Sequence, residues 1–125
     1  MVKVLYVEDE SAQRELMTQL LQSQGFEVKV AKNGAIGIEK ARAWSPDVIL
    51  MDLRMPYMDG FEAIRQLRGT AITANIPIVV ISAWTTSRHE KRALELGANQ
   101  VITKPYDLDE IVTVVLAHIN DDDGP

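Results

Sequence analysis

The amino-acid sequence predicts an α/β domain in which five parallel strands lie between two layers of helices. Five short apolar runs, rich in β-branched residues, alternate with segments that have helical spacing. The first, third and fourth runs are almost continuously apolar, which is typical of strands that helices cover on both faces. Because strand and helix alternate regularly, we expect right-handed crossovers and a parallel sheet.

The apolar runs that predict the strands lie at residues 4–7, 28–31, 48–51, 78–81 and 101–102. The chain has 125 residues, of which 46% are hydrophobic and 25% charged, as is usual for one globular domain. We therefore expect a single domain over residues 1–120, followed by an acidic tail over residues 121–125.

The first two helices are predicted from apolar spacing and from residues that begin or end helices. The first ends at Gly25 and carries a leucine stripe formed by Leu16, Leu20 and Leu21. The second begins after Asn33, whose side chain can cap a helix, and stops before Pro46 because the residue before a proline disfavours helical geometry.

The other three helices follow by the same reasoning. The third follows Asp59-Gly60, and the fourth ends at Gly97 and begins at one of three hydroxyl residues, Thr85, Thr86 or Ser87. Asp107 and Glu110 resemble a capping box at the start of the fifth helix, whose apolar face comprises Leu108, Ile111, Val112, Val115 and Ile119.

Composition excludes several classes of protein. The chain has no cysteine, which rules out disulfides, thiolate zinc sites, iron–sulfur clusters and a cysteine nucleophile. Its net charge of −5 argues against nucleic-acid or anionic-membrane binding by this domain. No apolar stretch approaches the ~18 residues that a membrane span needs. We expect a soluble, cytoplasmic domain.

Polar side chains follow four of the five predicted strands. Acidic residues at positions 8–10 follow the first strand, and Asp52 follows the third. Ser82 and Lys104 follow the fourth and fifth strands. Because parallel strands end at the same edge of a sheet, where such folds bind ligands, we expect these side chains to share one site.

The residue types at this edge are those that phosphoryl transfer requires. Carboxylates from Glu8, Asp9 and Asp52 would repel one another, and a divalent cation such as Mg²⁺ relieves that repulsion through hard oxygen ligands. Lys104 supplies a positive charge for an anion, and Ser82 supplies a hydroxyl donor. A carboxylate can itself accept a phosphoryl group, which makes Asp52 the candidate nucleophile.

With these residues in place, the sequence resembles the receiver domains of two-component response regulators. The resemblance covers nearly the whole chain and rests on Glu8-Asp9, Asp52 with Met55-Pro56 and Asp59-Gly60, Ser82-Ala83, and Lys104-Pro105. It implies a flavodoxin-like fold with strand order 2-1-3-4-5. It also implies a signalling domain rather than an enzyme, which takes a phosphoryl group onto Asp52 and loses it slowly by its own hydrolysis.

The resemblance also implies roles for the other site residues. Mg²⁺ would be held by Asp9, Asp52 and the main-chain carbonyl of Arg54, with Glu8 acting through water. Lys104 and Ser82 would contact the phosphoryl oxygens, and the Lys104-Pro105 peptide bond would be cis.

The implied partners are a sensor histidine kinase or a histidine phosphotransfer domain, and a downstream protein or output domain. The domain would be a monomer or a phosphorylation-dependent dimer.

Two positions bear on how the signal would be relayed. Val101 stands where the family usually has an aromatic residue, and Trp84 is a candidate cover for the phosphorylated site.

Residues argue against two rival functions, and a third is left to experiment. The acidic residues 8–10 would repel a flavin phosphate, and a haloacid-dehalogenase-like phosphatase normally has a second aspartate where this chain has Arg54. The third rival is a receiver-like docking module that acts without phosphorylation, and it is the alternative that labelling with acetyl phosphate tests.

Overall fold

Strand and helix alternate along the chain in this computed structural model, which describes residues 1–83 and 86–120. The strands are β1 (Lys3–Val7), β2 (Glu27–Ala31), β3 (Val48–Met51), β4 (Ile78–Ser82) and β5 (Gln100–Thr103). The helices are α1 (Ser11–Ser23), α2 (Gly34–Trp44), α3 (Gly60–Arg68), α4 (Ser87–Leu96) and α5 (Leu108–Asn120). The predicted element order is confirmed.

All five strands form one parallel sheet in the order β2-β1-β3-β4-β5, as predicted. Alternate strand residues face opposite layers, as the strand geometry requires. Leu5 and Val7 pack in a core with side chains from α2, α3 and α4, whereas Val4 and Tyr6 pack in a second core with side chains from α1 and α5. The two cores confirm the predicted three-layer sandwich.

Several helix ends are formed by the residues predicted for them. The Asn33 side chain accepts a hydrogen bond of 2.9 Å from the Ile36 amide at the start of α2. Of the three candidates for the start of α4, Thr86 is the cap, and its side chain accepts from the His89 amide. Gly97 ends α4 with a positive φ of 121°, a conformation that suits glycine.

The buried faces of α1 and α5 differ from the predicted stripes by a small rotation. Leu16 is 49% exposed and Leu108 is 46% exposed, so neither belongs to the core. In α1 the side chains that face the sheet are Met17 and Leu21. In α5 they are Ile111, Val114 and Val115. Apolar spacing alone leaves the rotation of a helix uncertain by about one residue, because neighbouring residues lie about 100° apart around its axis.

Gly60 allows α3 to begin close to the end of β3. Its amide donates a hydrogen bond of 2.8 Å to the Leu53 carbonyl. A Cβ atom at this position would lie 2.4 Å from the Asp52 carbonyl oxygen and 2.7 Å from the Leu53 Cα. Both neighbours are backbone atoms, so a side chain here must displace the loop that carries Asp52.

We therefore expect Gly60→Ala to lower the free energy of unfolding by about 2–3 kcal/mol, which is the cost of overpacking a tight site. Urea denaturation measures this change. Gly69→Ala is the matched control, because its Cβ would lie 3.4 Å from the nearest atom, the Arg65 carbonyl oxygen. The control should change stability by less than about 0.5 kcal/mol. Equal changes in the free energy of unfolding for the two variants would contradict the close contact between Gly60 and the loop that carries Asp52.

Within residues 1–83 and 86–120, no helix has the length and apolar character needed to cross a bilayer.

Candidate functional site

The polar residues predicted to share a site meet at the carboxyl edge of the sheet. Because β1, β3, β4 and β5 are consecutive neighbours, the residues that end or follow them converge. They surround a cavity of about 380 Å³ lined by Asp9, Glu10, Gln13, Asp52, Arg54, Ser82, Ala83 and Lys104. This position is where open parallel sheets bind their ligands.

Three carboxylates form a compact acidic cluster here, in which Asp9 and Asp52 line the cavity and Glu8 is buried beside them. One oxygen each from Glu8, Asp9 and Asp52 lies within 4.8 Å of the others. Glu8 is only 1% exposed and Asp52 only 6%, whereas Asp9 faces solvent. Hard carboxylate oxygens at this spacing fit a divalent cation that keeps some of its water ligands. The cluster could therefore hold such an ion.

Lys104 links two of these carboxylates. Its ammonium nitrogen lies 2.7 Å from Glu8 Oε1 and 3.4 Å from Asp52 Oδ2. The Lys104 amide donates to the Ser82 carbonyl oxygen at 3.0 Å, which fixes the end of β5 beside the end of β4. The peptide bond between Lys104 and Pro105 is cis, as predicted. Lys104 thus places one positive charge among three acids.

Backbone and side-chain donors hold the carboxylates in place. The Arg54 amide donates to Asp52 Oδ1 at 3.2 Å, and the Glu10 amide donates to Glu8 Oε2 at 3.3 Å. The Tyr6 hydroxyl lies 3.1 Å from Glu8 Oε1. The Arg14 guanidinium donates to the carbonyl oxygens of Glu8 and Asp9 at 2.8 Å each.

Tyr6 and Arg14 were not predicted from the sequence as site residues. A signal for Tyr6 was present, since it is a phenol in an otherwise aliphatic strand and lies two residues before Glu8, hence on the same face. Arg14 offered no comparable signal, because its contact depends on how α1 is rotated.

The buried charges shift one another's protonation. Burial raises the pKa of Asp52, and the nearby charge of Glu8 raises it further, against the opposing effects of Lys104 and the Arg54 amide. Burial acts on Glu8 in the same direction, but the hydrogen bond and charge of Lys104, together with hydrogen bonds with Asp9 and the Glu10 amide, outweigh it and lower the pKa of Glu8. Burial and Glu8 together raise the pKa of Asp9. The shorter contact of Lys104 with Glu8 explains why Glu8 and Asp52 shift in opposite directions.

The site residues predicted from sequence lie together in space: Glu8, Asp9, Asp52, Arg54, Ser82 and Lys104. Val101 is half-buried in β5 and packs against the core on the α2–α4 side. Trp84, the candidate cover, and the acidic tail at residues 121–125 lie outside the described residues. The functional roles of all these residues remain predictions.

Comparison with known proteins agrees with this geometry. A family model described as the response regulator receiver domain matches residues 4–116. The chain is 33% identical to PilH of Pseudomonas aeruginosa over 117 residues, which cover 94% of this chain and 97% of PilH. It is 34% identical to the regulatory protein AtoC of Escherichia coli over 113 residues, which cover 90% of this chain but only 24% of AtoC.

A solved structure of the same fold superposes with a TM-score of 0.89. It is the receiver domain of the sensor histidine kinase PA1611 from Pseudomonas aeruginosa, 27% identical in sequence, with 95% of this chain and 98% of that chain covered. That protein holds a magnesium ion in its active-site cleft. With the family model matching residues 4–116 and the strand order also in agreement, this chain belongs to the response regulator receiver domains of two-component systems.

Proposed function

We propose that this receiver domain accepts a phosphoryl group on Asp52 in a Mg²⁺-dependent reaction and passes the signal on through a change in its surface. The observation that carries the proposal is the meeting of Asp52, two further carboxylates and the Lys104 ammonium at one edge of the sheet. A carboxylate nucleophile, a cation site and a fixed positive charge are the parts that phosphoryl transfer needs.

The proposed magnesium ligands are those that the resemblance to receiver domains implies. Asp9 and Asp52 would bind the ion through carboxylate oxygens, the Arg54 main-chain carbonyl would add a third ligand, and Glu8 would act through water. When bound, Mg²⁺ neutralises charge on the phosphoryl oxygens. The excess of carboxylates over the one ammonium supports the proposal, because it leaves negative charge that a cation can balance.

The protein residues carry the transfer itself. An Asp52 oxygen forms a bond to phosphorus while the bond from phosphorus to the donor's imidazole nitrogen breaks. The imidazole keeps the electron pair of that bond. Lys104 stabilises the negative charge of the phosphoryl oxygens, and the Ser82 hydroxyl donates a hydrogen bond to one of them. Hydrolysis of the aspartyl phosphate then returns the domain slowly to its starting state.

The proposed phosphoryl donors are a sensor histidine kinase or a histidine phosphotransfer domain, and the proposed receiver of the signal is a downstream protein or output domain. AtoC, of which this chain matches 24%, is a regulatory protein by name. A modified Asp52 carries roughly −1.5 to −2 charge by analogy with other phosphorylated residues. That charge draws Lys104 and Ser82 toward it and shifts the population of a second conformation. The cytoplasmic location stays a prediction.

Intact-mass analysis after incubation with acetyl phosphate and Mg²⁺ tests the proposed function. We expect one labile phosphoryl adduct, and none when EDTA replaces Mg²⁺. The absence of an adduct under both conditions would favour the alternative, a docking module that acts without phosphorylation. An adduct that forms equally well in EDTA would contradict the role of the cation.

Magnesium affinity should fall as the pH falls. Because the pKa values of Asp9 and Asp52 are raised, protons compete with the cation for these carboxylates at mildly acidic pH. We expect the affinity for Mg²⁺ to be lower at about pH 5 than at about pH 7, because a carboxylate must lose its proton before it binds the ion. Isothermal titration calorimetry in two buffers of different ionisation enthalpy measures both the affinity and the protons released. Equal affinity at the two pH values would contradict this prediction.

A further inference from the structure

The hydroxyl of Tyr6 contacts the acidic cluster from within the core. The residue lies in the middle of β1, is fully buried, and packs among aliphatic side chains of the core between the sheet, α1 and α5. Burial raises the pKa of Tyr6 far above its ordinary value, and the charge of Glu8 adds to this effect. A phenol is protonated at neutral pH, so the Tyr6 hydroxyl, 3.1 Å from Glu8 Oε1, donates a hydrogen bond to that carboxylate.

The two carboxylate oxygens of Glu8 are not equally engaged. Oε1 accepts from the Tyr6 hydroxyl at 3.1 Å and from the Lys104 ammonium at 2.7 Å. Oε2 accepts from the Glu10 amide at 3.3 Å. Each carboxylate oxygen has about two lone-pair sites, so these donors fill Oε1 and leave capacity on Oε2.

We propose that Tyr6 is a positioning residue for the cation site, which holds the Glu8 carboxylate so that Oε2 is the oxygen left for a water ligand of Mg²⁺. The inference rests on the proposed function and extends it to a core residue that does not line the cavity. Hydrogen bonds to the far side of a ligating carboxylate orient it, and their loss typically weakens metal binding.

Tyr6→Phe removes the hydroxyl and keeps the buried ring. We expect the dissociation constant for Mg²⁺, measured by calorimetry, to rise by about tenfold. The Mg²⁺ concentration for half-maximal labelling by acetyl phosphate should rise by the same factor, while the rate at saturating Mg²⁺ stays within about twofold of the wild type. Thermal melting without metal is recorded for each variant, so that loss of folded protein is not counted as loss of affinity.

Two comparisons separate positioning from packing. Tyr106→Phe is the matched control, because Tyr106 is a half-buried neighbour of the site that makes no hydrogen bond to Glu8 among the described residues, and it should bind Mg²⁺ as the wild type does. In a Glu8→Gln background, Tyr6→Phe should cause no further loss of Mg²⁺ affinity. An additional loss of about tenfold there would overturn the inference, since Tyr6 would then not act through Glu8.

The wild-type protein gives a readout that needs no variant. The buried Tyr6 hydroxyl proton should exchange slowly enough to be seen by NMR, and its resonance should shift when Mg²⁺ is added. If the wild type binds no Mg²⁺ and takes no label, the proposed function fails. If the wild type does both, but Tyr6→Phe leaves the Mg²⁺ dependence unchanged and the hydroxyl resonance does not respond, only the role of Tyr6 is overturned.

Discussion

Asp52→Asn should abolish labelling by acetyl phosphate and, in the same protein, raise the stability of the metal-free domain. Labelling is lost because an amide oxygen is a poor nucleophile and the phosphoryl group has no other acceptor in the proposed reaction. Stability rises because the Asp52 carboxylate is only 6% exposed and is repelled by the charge of Glu8. The Lys104 ammonium offsets this repulsion only in part, since it lies closer to Glu8 than to Asp52. The substitution removes that repulsion and keeps the size of the side chain.

The pH dependence of this gain follows from the raised pKa of Asp52. A carboxyl whose pKa is higher in the folded state contributes stability below its unfolded pKa, near 4, and that contribution is lost as the pH rises through the folded value. The ionised wild-type side chain is therefore unfavourable at neutral pH. We expect Asp52→Asn to add about 1 kcal/mol at about pH 7 and much less at about pH 4.

Urea denaturation in EDTA at the two pH values measures the stability change, and intact mass measures labelling. Asp109→Asn is the control, because Asp109 is an exposed acid in the first turn of α5. It should keep the adduct and change stability by less than about 0.5 kcal/mol. An adduct on the Asp52→Asn protein, or a loss of stability in EDTA, would contradict the proposed role and environment of Asp52.

The position of the acidic site was predictable because it depends on topology more than on detail. Once the apolar runs are interpreted as parallel strands, the residues that follow them must lie at the same edge of the sheet. Asp9, Asp52 and Lys104 therefore meet, although 43 positions separate Asp9 from Asp52 and 52 positions separate Asp52 from Lys104. Local chemistry also predicted the cap of α2 by Asn33, since that contact involves residues three apart.

Contacts that depend on how elements pack were not predictable in the same way. The rotation of α1 and α5 decides that Leu16 and Leu108 face solvent, and it also brings Arg14 to the carbonyls of the β1–α1 loop. Arg68 is a further case. Its guanidinium donates to the carbonyl oxygens of Ala74 and Ile76, and its Nε donates to the carbonyl oxygen of Gly97. No periodicity in the sequence reveals partners that lie on separate loops.

Lys104→Met should be the most damaging single substitution at the site. It keeps a long apolar stem but removes the ammonium that pairs with Glu8, which is 1% exposed, and leaves that carboxylate without its counter-charge. Breaking a buried ion pair from one side costs several kcal/mol, and we expect about 3 kcal/mol here because the Lys104 side chain itself is 19% exposed. The labelling rate should fall by about 100-fold or more, because charge on the phosphoryl oxygens is no longer stabilised.

The loss of stability should depend on pH in a way that identifies its cause. In the wild type Lys104 lowers the pKa of Glu8, so Glu8 contributes stability above its unfolded pKa, near 4, and loses it as the pH falls through the folded value. Without Lys104, burial is opposed only by the hydrogen bonds that remain on Glu8, so the pKa of Glu8 rises and its contribution to stability at neutral pH falls. The difference in free energy of unfolding between the wild type and Lys104→Met should therefore shrink from about pH 7 to about pH 4.

Two further variants show whether the buried charge causes the damage. Adding Glu8→Gln to Lys104→Met should recover much of the lost stability at neutral pH, because it removes the charge that the first substitution left unpaired. Lys91→Met is the surface control, since its ammonium lies 3.9 Å from Glu95 and both side chains are mostly exposed, and it should cost less than about 0.5 kcal/mol. If the double variant is no more stable than Lys104→Met, the unpaired charge of Glu8 does not cause the damage and the electrostatic account of Glu8 is wrong.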